Sequence, residues 1–110
     1  MKIINRGYLS ITPLTPFHEW VKTFEVEDDF GTDEVTEANL YLITEDFFDT
    51  EPLVEQHFKK IFANELSMIT DNEEDWPQDR SMSVFLEWFQ LDFGTTVFDL
   101  EKSDLKSERV

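Results

Sequence analysis

In the stretch TEPLVEQHFKKIFANELSMIT, residues 50–70, the side chains Val54, Phe58, Ile61, Phe62, Leu66 and Ile69 recur at helical spacing. That spacing predicts one apolar stripe along a single helix. Thr50 or Glu51 opens the helix, and Pro52 falls in its first turn, where a proline is tolerated. On the outer face Glu55 and Lys59 stand four residues apart, as an ion pair would. Burying each stripe side chain contributes about 1.5–3 kcal/mol, whereas a surface pair contributes about 0.2–0.5 kcal/mol. Apolar burial therefore makes this helix the spine of the fold.

Working toward the N-terminus, Asn39–Thr44 (NLYLIT) is apolar at nearly every position, which reads as a central strand with both faces at least partly covered. Before it, residues 25–37 carry Glu25, Glu27, Asp28, Asp29, Asp33, Glu34 and Glu37 around Gly31. Like charges at that density oppose compaction, so a long solvated loop is expected, pinned by Phe30 and Val35. Phe17, Trp20, Val21 and Phe24 lie at i, i+3, i+4 and i+7 and form the buried face of a first helix, with Glu19, Lys22 and Thr23 left to water. Thr15 serves as its N-cap and Pro16 as its first helical residue. Gly7–Thr12 alternates and is rich in β-formers, giving a first strand that Pro13 ends.

Toward the C-terminus, residues 70–79 (TDNEEDWPQD) form a second acidic loop, interrupted by Trp76 and Pro77. Asp79 or Ser81 then caps a third helix, Met82 to Gln90. Its apolar face of Met82, Phe85, Leu86 and Phe89 is widened by Val84, Trp88 and Leu91, leaving only Arg80, Ser83, Glu87 and Gln90 polar, so deep burial is expected. Phe93–Leu100 reads as a third strand, with a bulge at Gly94.

The order is β-α-β-α-α-β. It predicts an α+β two-layer sandwich, a small three-stranded sheet with helices packed on one face. Tyr8, Tyr41, Ile43 and Thr96 are assigned to the other, half-polar face. That face and the sheet's two edges are expected routes to a homodimer. Residues 1–100 form one domain and residues 101–110 a flexible polar tail.

Composition narrows the functional classes. The chain holds 25 acids against 9 bases, a formal net charge of −16. Such a surface repels nucleic-acid phosphates and anionic membranes and attracts a basic protein partner. Without cysteine there is no disulfide, thiolate metal site or cysteine nucleophile. The apolar runs fall short of the ~20 residues that span a bilayer, and the N-terminus lacks the apolar stretch of a secretory signal. A cytoplasmic location is the resulting expectation.

Motifs for chemistry fail on inspection. Asp71-Asn72-Glu73-Glu74-Asp75 places oxygens as a calcium loop does, but the sixth position is Trp76 where the turn needs glycine. The twelfth is Met82 where a bidentate glutamate is needed, so a solvated acidic loop is the better reading. His18 and His57 are the only histidines; His18 reads as solvent-facing and His57 as a half-buried flank of the apolar stripe. No serine sits in a nucleophile elbow, and Gly7, Gly31 and Gly94 cannot assemble a phosphate-cradling loop. No catalytic residue, metal or cofactor is assigned.

One stretch remains distinctive: Asp71, Glu73, Glu74 and Asp75, then Trp76 and Arg80. A tryptophan and an arginine on an acidic loop can anchor a protein partner, because both residue types are favoured at interface centres. The competing reading makes Trp76 a lid over the core and Arg80 a partner for nearby acids. The sequence therefore predicts a non-catalytic acidic domain that binds a basic protein. A ligand-binding or enzymatic pocket between helices and sheet, with Arg80, His57 and Glu87 as its polar groups, is one alternative; a subunit of an oligomer is the other.

Overall fold

The computed structural model describes residues 1–24 and 37–110. The acidic run from Glu25, with Phe30 and Val35, lies outside the described residues up to position 36. Among the described residues, five strands and three helices follow in the order β1 (Lys2–Ile4), β2 (Gly7–Pro13), α1 (Thr15–Lys22), β3 (Asn39–Ile43), α2 (Thr50–Ser67), α3 (Met82–Trp88), β4 (Phe89–Gly94) and β5 (Val97–Asp99). A short 3-10 turn, Glu73–Asp75, interrupts the connection from α2 to α3. The architecture is mixed α+β, with helices over one face of an antiparallel sheet ordered β3-β2-β4.

Strand alternation decides which side chains meet the helices. Along β2, Leu9 and Ile11 are buried while Tyr8, Ser10 and Thr12 take the outer side. They share the inner layer with Ile43 and Phe89, and with Phe17, Val21, Leu53, Val54, Ile61, Phe62, Leu66 and Phe85 from the helices. At the centre four rings pack edge and tilt: Phe17–Phe89 at 5.1 Å, Phe85–Phe89 at 5.3 Å, Phe62–Phe85 at 5.6 Å and Phe62–Phe89 at 5.7 Å between centroids. Offset ring pairs of this kind add about 0.5–1.5 kcal/mol beyond their area.

Several expectations are corrected. The strand at 39–44 is an edge strand, with β2 central; Leu40 and Leu42 face outward, 57% and 50% exposed. Tyr41 and Ile43 therefore face the helices. The apolar run hid the parity, because leucines on the open side mimic a doubly covered strand. The third helix ends at Trp88, not Gln90, and Phe89 begins β4. The expected strand 93–100 is two pieces, β4 and β5. β5 pairs with β1, a strand not anticipated, through Lys2↔Asp99, Ile3↔Phe98 and Ile4↔Val97.

Between those pairs and Tyr8↔Gly94, residues 5–7 oppose residues 95–96. The extra residue is thus on the side of the first two strands, not at Gly94. At 94 a Cβ would lie 2.1 Å from the Tyr8 ring, which would have to move aside to admit a side chain. Nor is α3 deeply buried. Only Phe85 is fully enclosed, and Leu86 is exposed.

At α1 the N-cap is Leu14, with Thr15 already helical and Pro16 one residue further in. Leu14 N donates to Trp88 O at 2.8 Å, which ties the end of β2 to the end of α3. Ser81 caps α3 as expected, accepting from Val84 N at 3.3 Å. Glu55 and Lys59 form no ion pair among the described residues, since hydration competes closely with an exposed pair. Along α2, Leu53 and Glu65 join the buried face and Phe58 is half-buried; the helix ends at Ser67, so Ile69, also half-buried, packs from the turn that follows. No helix of the described residues is long and apolar enough to cross a membrane.

Candidate functional site

Beside its apolar stripe, α2 carries a polar one: His57, Lys60, Asn64 and Ser67 recur at three and four residues, the spacing of one helical flank. This flank faces β3, an edge strand of the sheet among the described residues. The two elements bound a cleft of about 630 Å³ lined by Tyr41, Leu42 and Ile43 from the strand and by His57, Lys60, Ile61, Ala63, Asn64 and Ser67 from the helix. Trp76 and Val110 complete its rim. A smaller cavity of about 230 Å³ lies next to it, lined by Pro13, Phe17, Glu37, Asn39, Glu65, Met68 and Ile69.

Tyr41 and Asn64 in the cleft are linked to Asn39 and Glu65 in the smaller cavity by one hydrogen-bond network. Glu65 is 3% exposed, the only buried charged residue among those described. Its carboxylate accepts from the Tyr41 hydroxyl at 2.6 Å and from Asn39 Nδ2 at 2.9 and 3.2 Å. The Tyr41 oxygen in turn accepts from Asn64 Nδ2 at 2.9 Å. Enclosing a carboxylate is costly unless donors replace its water. Here neutral donors do so, with no cation in hydrogen-bonding reach: the ion pairs among the described residues are Lys2–Asp99 at 3.7 Å and Lys2–Asp104 at 3.9 Å.

This geometry bears on chemistry. Burial first, then the hydrogen bond to Glu65, pushes the Tyr41 phenol above the usual tyrosine range. Tyr41 accordingly stays neutral at physiological pH, with its proton directed at Glu65, and is poorly suited to act as a base or nucleophile. The network fixes side chains in place, as a recognition surface requires.

The residues singled out in the sequence separate into two groups. Asp71, Glu73, Glu74 and Asp75 are exposed on the loop after α2 and do not line the cleft. The loop is nonetheless ordered: Asn72 Oδ1 accepts from Glu74 N at 3.2 Å, and Trp20 Nε1 donates to Asp75 O at 3.0 Å. Trp76 is half-buried, donates its indole N–H to Thr70 O at 3.0 Å and turns toward the cleft. The Arg80 guanidinium sits over the Trp76 ring at 5.5 Å and donates to Pro77 O at 2.7 Å, without an ion pair to any described acid.

Of the polar groups named for a pocket, His57 lines the cleft, half-buried, while Arg80 and Glu87 do not. Asn39, Tyr41, Asn64 and Glu65 were not anticipated. Glu65 did leave a signal, because it follows Ile61 by four and Phe62 by three and so falls inside the apolar stripe.

Comparison adds nothing to these residues: no family model, curated protein or solved structure matches the chain.

Proposed function

We propose that this chain is a non-catalytic binding domain whose acidic exterior meets a basic protein. The observation that carries the reading is the placement of charge. Among the described carboxylates only Glu65 is buried and only Asp99 is half-buried; every other one is exposed. Among the described residues their ion-pair partners amount to Lys2 alone. An exterior so little neutralised attracts a cationic surface over several ångströms and speeds its encounter. Asp71, Glu73, Glu74 and Asp75 offer it a group of exposed carboxylates on a backbone held by Asn72 and Trp20, beside the Trp76–Arg80 stack.

The test is capture of basic proteins from a nuclease-treated lysate on immobilised chain, at about 50 mM and then about 500 mM salt. Retention at low salt that falls at high salt, and falls further when the four loop acids are neutralised, supports the reading. No basic protein retained even at low salt contradicts it.

A second reading rests on Leu40 and Leu42, exposed on the outer face beside Tyr8. Two copies could cover these side chains by stacking sheets. Because each copy carries −16, such association strengthens with salt, whereas binding to a basic partner weakens. Sedimentation across the same salt range separates the two.

A further inference from the structure

We propose that the cleft between β3 and α2 binds a small organic anion with an apolar body, such as an aryl-alkyl carboxylate. The inference is independent of the basic-partner reading and rests on four observations. First, about 630 Å³ lies within the range of pockets that enclose small ligands. Second, Ile43, Ile61 and Trp76 give it walls for an apolar body.

Third, its electrostatics run against those of the rest of the chain. Among the described acids, none lines this cleft. Apart from the neutral Tyr41 phenol, the ionisable side chains that line it are His57 and Lys60. Lys60 has no salt-bridge partner among the described residues, so its ammonium is available to a ligand. A cationic ligand would find no acidic side chain among the described residues of these walls.

Fourth, the polar floor is pre-set. Glu65 holds Tyr41, and Tyr41 takes one N–H of Asn64, leaving the rest of that amide without a protein hydrogen bond. Among the described residues no buried polar side-chain atom lacks a partner, so the Asn64 oxygen is reached by solvent, and the Asn64 side chain lines the cleft. Groups already immobilised lose little further freedom on binding. The carboxylate is assigned to Lys60, and the apolar body to the Ile61–Trp76 side.

The experiment uses three probes of one shape: phenylpropionate, phenylpropanol and phenylpropylammonium. Each is titrated into the full chain and followed by amide and indole NMR. The proposal expects phenylpropionate to shift the Trp76 indole and Asn64 side-chain signals saturably, with phenylpropanol weaker. Lys60→Met keeps the apolar stem at an exposed position and is expected to weaken phenylpropionate about fivefold while leaving the alcohol unchanged. Any of three results overturns the proposal: no saturable shift at these signals, equal binding of acid and alcohol unaltered by Lys60→Met, or the ammonium probe preferred at the same signals. Extended peptides that shift the Asn39–Ile43 amides where phenylpropionate shifts nothing would likewise replace it with strand addition at the β3 edge.

Discussion

Glu65 and the run from Asp71 to Asp75 lie within ten residues of one another and use the same functional group in opposite ways. The Glu65 carboxylate is inside, surrounded by the donors of Tyr41 and Asn39. The loop carboxylates are outside, solvated, on a backbone held by Asn72 and two indoles. Burial and local donors, not residue type, decide whether an acid contributes to folding or to the surface field. In a chain with 25 acids, the one among those described that shapes the interior is concealed by the abundance of the others.

The contrast can be broken most forcefully at Glu65. Glu65→Ala leaves the Tyr41 hydroxyl and Asn39 amide without their acceptor and opens a void, and is expected to cost about 2–4 kcal/mol. Urea unfolding measures it, and Glu65→Gln is expected to cost less because it retains one acceptor. Next in size, Tyr41→Phe is expected to cost about 1 kcal/mol near neutral pH.

The Tyr41 substitution also carries a pH signature. With its phenol raised in the folded state, Tyr41 holds its proton more tightly there than in the unfolded chain. Its contribution is therefore complete below about pH 10 and is lost as the pH climbs from there toward the raised value. The Phe variant should lack that part of the alkaline decline, as unfolding free energies measured across the range would show.

On the loop side the effects shrink. Asn72→Ala removes the side-chain acceptor of the 3-10 turn and is expected to cost about 0.5–1 kcal/mol. Replacing Asp71, Glu73, Glu74 and Asp75 with their amides is expected to change stability by less than about 0.5 kcal/mol per site, while reducing low-salt capture of basic proteins. A large stability loss from the four amides would erase the difference between the two regions.

What the sequence made legible follows the same division. Where apolar and polar residues alternate cleanly, as in Leu9-Ser10-Ile11-Thr12, or recur at helical spacing, as in Val54, Ile61, Phe62 and Leu66, the inner face was readable. The strand NLYLI gave no parity, since leucines on the open side are as apolar as the residues that face the helices. The end of α3 was obscured because Phe89 continues the helical spacing from Phe85 while its backbone already pairs with Pro13. The short β1–β5 pairing depends on contacts between the two ends of the chain, which local pattern does not encode. The cleft is a product of strand order: only with β3 at the edge does the flank of His57, Lys60 and Asn64 face open space.

The account rests centrally on negative charge that is exterior and largely without counter-ions. The melting temperature of the isolated chain, followed from low salt to about 0.5 M sodium chloride, tests this directly. Screening should relieve self-repulsion and raise the melting temperature progressively. A melting temperature that stays level or falls would mean that the carboxylates are already paired, and would contradict the account.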